Sequence, residues 1–196
     1  MKGSRAVWGS ACVVVLILTT GCAWQRVPPV APDIAVESIP LSVGVVLEGD
    51  SGSVLNGERV VKYLGDWGVF QSLEHPHKPD SNVDAVLSIT IDSTYSTPDK
   101  KNHRRAFFVG LSLGALSPFI GQSVLHVHHM EATLKTGGRE VGRYAIDSGG
   151  EVDFGLGADE ITVLRKTLKS DMSWLAYDLA EKIRADLSGT SETTGP

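Results

Sequence analysis

Hydrophobic and polar residues alternate along several stretches of this 196-residue chain. In residues 83–91 every second position is apolar, and a β-branched run occupies residues 41–47. Such patterns predict strands with one buried face. Residues 123–134 and 141–146 flank a Thr-Gly-Gly-Arg sequence that is typical of a hairpin turn. With a further short strand predicted in residues 68–73, the chain has four or five strands.

Two other segments carry apolar residues at three- and four-residue spacing, which predicts amphipathic helices. The first runs from Val54 to Trp67 and the second from Ile161 to Leu187, where Ser170 and Asp171 could cap a new helix. From the order of these elements we expect an α+β domain. It would have a single mixed or antiparallel sheet of four or five strands, two helices on one face, and an apolar loop or hairpin.

The apolar loop corresponds to residues 106–121, which carry no charge and directly follow the basic sequence Lys-Lys-Asn-His-Arg-Arg. The segment is too short to span a bilayer. Either it packs on its own domain, or its apolar side chains enter lipid or a partner while the basic residues meet phosphates. The second interpretation assigns contact roles to Arg104, Arg105, Phe107, Phe108, Leu111, Leu113, Leu116, Phe119 and Ile120.

The N-terminal residues have the layout of a secretory signal peptide, in which a basic start precedes an apolar run and small residues. Lys2 and Arg5 come first, and an uncharged run ends at Leu18 before Thr-Thr-Gly and Cys22. The run falls short of the roughly 20 residues of a membrane span. Residues 1–21 are therefore predicted to be a signal peptide rather than a retained helix.

The sequence Leu-Thr-Thr-Gly-Cys ending at Cys22 resembles the bacterial lipoprotein signal. The resemblance implies that Cys22 becomes the first mature residue and carries diacylglycerol and an N-acyl chain such as palmitate. Ala23 and Trp24, with no aspartate beside the cysteine, resemble sorting to the outer membrane, facing the periplasm. Several acyl chains hold a protein at a membrane almost permanently, since each buried methylene contributes about 0.8 kcal/mol.

Cysteine content and charge narrow the remaining classes of protein. Cys12 lies in the predicted signal, so no disulfide can form after cleavage and the domain must depend on its core. The net charge of -5 argues against nucleic acid as a partner.

Proline-rich residues 22–40 are predicted to be a tether reaching on the order of 50 Å. Residues 41–188 are the expected domain, and residues 189–196 a disordered tail.

The order of blocks supports a second resemblance. An acidic Val-Asp-Ala-Val-Leu-Ser-Ile-Thr-Ile strand, a Phe-Phe-Val-Gly-Leu-Ser-Leu-Gly-Ala-Leu-Ser-Pro block, a hairpin and a terminal helix follow one another. This order resembles a group of poorly characterised Gram-negative envelope lipoproteins and, more loosely, the auxiliary lipoproteins of ABC-type transport systems. The resemblance implies a non-enzymatic, membrane-tethered accessory role.

Two patterns suggest chemistry instead. Gly-Asp-Ser-Gly around Ser51 resembles the nucleophile block of serine hydrolases, but no histidine precedes it, and none follows His129 in the C-terminal region where the esterase order would require one. A turn followed by a helix cap explains it better. His126 and His128 share a strand face and are weak metal candidates, because zinc requires three or four ligands.

The sequence therefore favours an envelope module that interacts with lipid and with an envelope protein, and needs no cofactor beyond the acyl chains. The alternative is an envelope hydrolase or metal-dependent enzyme that uses Ser51 or the His126 and His128 pair.

Overall fold

The computed structural model of the protein describes residues 29–31, 38–112, 121–155 and 158–190. The predicted signal, Cys22, most of the predicted tether and the contact residues Leu113, Leu116, Phe119 and Ile120 lie outside these ranges. The elements are β1 (Ile39–Glu48), α1 (Ser51–Asp66), β2 (Phe70–Glu74), β3 (Ala85–Ser96), α2 (Asp99–Leu111), β4 (Gly121–Thr136), β5 (Arg139–Gly155) and α3 (Glu160–Thr190).

The strands form one mixed sheet in the order β2-β1-β3-β4-β5. β1 pairs in parallel with both β2 and β3, with Val45 opposite Leu87 in the second pair. β4 and β5 are joined through Gly137 and Gly138, whose φ angles of 56° and 79° are those of a tight hairpin turn. The predictions of an α+β fold, a single sheet and a hairpin at this turn are therefore confirmed.

The chain divides into two compact units. Among the described residues, the larger unit comprises 29–31, 38–94, 127–149 and 168–190, and the smaller unit comprises 95–112, 121–126, 150–155 and 158–167. The larger unit contains the main core, in which alternate strand residues pack against stripes of α1 and α3. Its fully buried side chains include Leu64, Leu87, Ile89, Met130, Leu134, Met172, Leu175, Leu179 and Ile183.

α1 begins at a turn that its sequence specifies. Gly49 has a φ of 111°, which a residue with a side chain rarely adopts, and Asp50 is the helix N-cap. The Asp50 carboxylate accepts a hydrogen bond from the Ser53 amide at 2.8 Å. The Gly-Asp-Ser-Gly sequence is therefore a turn and a cap, as the helix interpretation predicts.

α3 is one continuous helix, so the predicted interruption at Ser170 and Asp171 is wrong. Neither side chain caps a new helix: Asp171 Oδ2 lies 3.4 Å from His128 Nε2, and Ser170 bonds to the N-terminal segment. The Ser170 hydroxyl donates to the Pro29 carbonyl at 2.7 Å, and the same carbonyl accepts a bond from Trp174 Nε1 at 3.0 Å. The Ala31 amide donates to Ser173 Oγ at 2.9 Å. Residues 29–31, predicted to be part of a free tether, are therefore bound to α3.

α2 is a third helix where the sequence predicts basic residues followed by an apolar loop. Pro98 precedes it, and Asp99 places a negative charge in its first turn, where the helix dipole favours one. The lysines, arginines and alanine that follow are strong helix formers. The change from basic to apolar residues at position 106 predicts the boundary of an apolar loop there, but the helix continues through it to Leu111.

The core of the larger unit predicts unequal effects for two leucines of α1. Leu64→Ala should lower the free energy of unfolding by about 2–5 kcal/mol, because Leu64 is fully buried. Leu55→Ala removes the same atoms from a side chain that is 50% exposed. It should change the free energy of unfolding by about 0.5 kcal/mol or less. Urea denaturation of both variants checks this, and equal losses would contradict the described packing of α1.

Candidate functional site

Ser51 is exposed at the first position of α1, directly after the capping aspartate. The neighbouring Ser53 hydroxyl makes the tertiary contacts: it donates to the Glu48 carbonyl and accepts from the Ile91 amide, both at 2.9 Å. The local geometry thus ties a strand end to a helix start. It gives Ser51 no histidine partner among the hydrogen bonds described for this turn.

His126 and His128 lie on the buried face of β4, and His129 lies on the partly exposed face, as strand alternation predicts. Within the described residues, no group of three or more histidine, cysteine, aspartate or glutamate side chains is arranged to hold a metal ion. His126 and His128 are 1% and 0% exposed, so both are core residues of the strand. They occupy the positions that apolar side chains occupy further along β4.

His128 belongs to a row of polar side chains within the larger unit. Its Nδ1 lies 2.8 Å from Ser93 Oγ, and its Nε2 lies 3.4 Å from Asp171 Oδ2. Asn56 Nδ2 donates to Ser93 Oγ at 2.9 Å, and Arg59 Nη1 donates to Asn56 Oδ1 at 2.7 Å. A serine, an imidazole and a carboxylate thus adjoin one another. His128 and Asp171 are buried, so this row places polar and charged groups next to one another inside the fold.

The side of α2 that faces its own unit is polar. Lys101, Asn102 and Arg105 lie on this side at helical spacing, and all three contact β4 or β5. None of the residues of α2 is buried. Among the described residues of the smaller unit, the apolar core consists instead of Val124, Val152, Phe154 and Val163, and no residue of α2 belongs to that cluster. Hydrogen bonds and charge therefore hold this helix.

Asp153 of β5 is the centre of these contacts. Its Oδ1 accepts from Arg105 Nη1 at 3.0 Å and from Lys101 Nζ at 3.3 Å, and it also accepts from the Ser123 hydroxyl. Arg105 Nη1 lies 2.6 Å from Ser123 Oγ. The Asn102 side chain and the Ser123 backbone exchange two hydrogen bonds, at 3.0 and 3.1 Å. We call this set of five residues the α2 clamp.

The clamp shifts the titration of its carboxylate. Burial by itself would raise the pKa of Asp153, but hydrogen bonds from Ser123, Arg105 and Lys101 outweigh burial and lower the pKa. A carboxylate with a lowered pKa in the folded state stabilises the fold above its unfolded pKa, near 3.9. This contribution is lost as the pH falls through the lower, folded value. Asp153 is therefore ionised at neutral pH, the state that accepts the bonds from Arg105 and Lys101.

The opposite side of α2 carries large apolar side chains that face solvent. Phe107, Phe108 and Leu111 are 63%, 54% and 66% exposed. Lys100 and Arg104 precede them on the same stripe, because positions 100, 104, 107, 108 and 111 follow three- and four-residue spacing. Both basic residues are exposed. We call these five residues the outer face of α2.

The structure thus divides the predicted contact residues between two roles. Arg104, Phe107, Phe108 and Leu111 are exposed on the outer face, whereas Arg105 is a clamp residue and faces inward. Sequence reasoning missed Lys100, although its spacing from Arg104 and Phe108 marks one helical stripe. It also missed Asp153, because only the fold brings β5 to α2. None of the helices within the described residues combines the length and apolarity required to cross a membrane.

Comparison with known proteins gives no match to a protein-family model or to a curated sequence. Among solved structures, the chain is similar to a Xanthomonas campestris protein of the DUF330 family, with 10% identity, a TM-score of 0.50, and coverage of 86% of this chain and 97% of that one. This likeness shows a shared fold.

Two further solved structures are similar at lower scores. A minor lipoprotein from Acinetobacter baumannii has 12% identity, a TM-score of 0.49, and coverage of 76% of this chain and 95% of that one. The rare lipoprotein B from Shewanella oneidensis has 12% identity, a TM-score of 0.40, and coverage of 78% and 97%.

The clamp predicts different effects for two adjacent arginines. Arg105→Gln removes a charged bond to Asp153, so the free energy of opening α2 should fall by about 1–3 kcal/mol. Arg104→Gln changes an exposed side chain and should leave that energy nearly unchanged. Amide hydrogen exchange along α2 measures both, and we expect tenfold or faster exchange in Arg105→Gln alone. Equal protection in the two variants would show that the clamp does not hold the helix.

The polar row predicts that His128 is structural. His128→Ala should lower the free energy of unfolding by about 2–4 kcal/mol, because it leaves a cavity and removes a neighbour of buried Asp171. His129→Ala, at an exposed ion pair with Asp147, should cost about 1 kcal/mol or less. Thermal denaturation of both variants checks this. A stable His128→Ala protein that lost a hydrolytic activity would instead indicate catalysis.

Proposed function

We propose that this chain is a lipid-anchored protein of the bacterial envelope, attached through Cys22 at the outer membrane and facing the periplasm. Its α+β domain acts without catalysis, as an interaction, assembly or transport-accessory module. The lipoprotein-type sequence at Cys22 supports the anchor. The resemblance of the block order to envelope lipoproteins favours the accessory role, and the likeness to the Xanthomonas campestris protein concerns the fold alone.

The outer face of α2 is the single observation that carries the interaction role. Two phenylalanines and a leucine are exposed on one stripe, although burying each such side chain would contribute about 1.5–3 kcal/mol. Contiguous apolar residues that face solvent are typical of contact surfaces. The clamp fixes the helix with this stripe outward, so its exposure follows from specific bonds.

The enzyme alternative has weaker support. Ser51 belongs to a helix start, and His126 and His128 are buried on one face of β4. A hydrolase requires a nucleophile, a base and an orienting group arranged around an accessible reacting atom. The Ser93, His128 and Asp171 row has suitable residue types, but its imidazole and carboxylate are enclosed in the core. We therefore assign no catalytic residue.

The proposal predicts how contacts of α2 depend on Cys22. A photo-crosslinking amino acid at Phe108 should form adducts in intact envelopes, because this side chain is more than half exposed on the outer face. Cys22→Ser removes the site of acylation, so the protein should leave the membrane fraction, lack acyl mass and lose most adducts. Membrane fractionation, mass spectrometry and gel analysis of the crosslinked products measure these effects.

The matched control places the same crosslinker at Leu55, which has similar exposure on α1. We expect few adducts there. Full membrane retention of Cys22→Ser would contradict the anchor. Equal adducts from positions 55 and 108 would contradict the assignment of α2 as the contact surface.

A further inference from the structure

We infer that the outer face of α2 docks on an anionic phospholipid bilayer, as a second and reversible membrane contact beside the acyl anchor. This inference rests on the proposed function and names the partner of the same site. The occupant is chosen from the distribution of charge on α2, from the spacing of basic and apolar residues along its axis, and from the place where the N-terminal segment is bound.

Charge on the outer face is positive in a protein that is negative overall. Residues 100–105 include four lysines and arginines and no acidic residue, whereas the whole chain has a net charge of -5. Two of them are paired inside the unit: within the clamp, Lys101 and Arg105 both contact Asp153, and Lys101 also contacts Glu151 of β5. Lys100 and Arg104 are the basic residues left exposed on the outer face. The phosphate groups of anionic lipids complement this pair.

The distance along α2 between its basic and its apolar residues matches the depth between the phosphates and the acyl chains of one leaflet. Basic residues occupy the first half of the outer face, and Phe107, Phe108 and Leu111 occupy the second half. Arg104 and Leu111 are seven residues apart, or about 10 Å along the axis. Interfacial helices bury their apolar side chains about 5–10 Å below the surface. An inclined α2 therefore places Leu111 among acyl chains while Arg104 remains at the depth of the phosphates.

The bound N-terminal segment keeps the domain close to its anchor. The Pro29 carbonyl accepts bonds from Ser170 and Trp174 of α3. Seven residues, Cys22 to Pro28, therefore separate the predicted anchor from this bound point. An extended chain of this length reaches about 22 Å. The anchor thus turns docking into an intramolecular step with a high effective concentration of lipid. A contact made by three apolar and two basic side chains is then sufficient.

The test uses the mature, acylated protein purified from envelopes and carrying Leu111→Cys labelled with a polarity-sensitive fluorophore. The protein is reconstituted in vesicles of phosphatidylcholine alone or of phosphatidylcholine with phosphatidylglycerol. With phosphatidylglycerol, we expect blue-shifted emission and quenching by brominated acyl chains. The matched control is a label at Val141→Cys of β5, which is 51% exposed and should report water in both vesicles.

The basic pair is tested in the same assay by the double variant Lys100→Gln and Arg104→Gln. Each basic residue near an anionic surface contributes a factor of roughly five, so the ratio of docked to undocked label should fall about thirtyfold. Labels at 111 and 141 that both report water with phosphatidylglycerol would overturn the inference. A ratio of docked to undocked label that is equal in the two kinds of vesicle and unchanged by the double variant would also overturn it.

Failure of the inference and failure of the proposed function are distinguishable. A label at position 111 that is shielded in native envelopes but exposed in every pure lipid vesicle would show a protein partner. That result would overturn lipid docking and leave the proposed interaction module standing. A mature protein that carries no acyl mass and separates from the vesicles would overturn the anchor, and the docking inference with it.

Discussion

The carboxylate of Asp153 accepts hydrogen bonds from Arg105, Lys101 and Ser123, and these contacts determine which side of α2 meets solvent. Charge-assisted bonds of this kind are directional, so they fix the rotation of the helix about its axis. Apolar packing could have done the same only by turning Phe107 and Phe108 inward. With the clamp in place, those side chains face outward, where they are available for contact.

The exposed stripe is compatible with a stable fold because the main core forms elsewhere. In the larger unit, α1 and α3 cover alternate residues of the strands, and this core includes residues of all five strands. α2 lies in the smaller unit and adds no buried side chain. Substitutions on its outer face therefore remove no core volume, and we expect them to leave the free energy of unfolding nearly unchanged.

Much of the fold could be predicted from sequence because its strands have one buried face. The alternation in residues 83–91 and the helical stripe around Val60 and Leu64 each matched the observed elements. α2 was missed as a helix because its apolar residues do not face a core, so hydropathy divided it into a basic segment and a loop. The polar half of the site was also missed. Asp153 is distant in sequence from Arg105, and only the position of β5 brings them together.

The central claim is that α2 presents its apolar side chains to solvent, and hydroxyl-radical footprinting tests it most directly. Phe107 and Phe108 are exposed on α2, whereas Phe70 and Phe154 are buried in the two cores. In purified protein in lipid-free buffer, the account predicts rapid oxidation of Phe107 and Phe108 and protection of Phe70 and Phe154. Protection of Phe107 and Phe108 to the same degree as the buried pair would contradict the account.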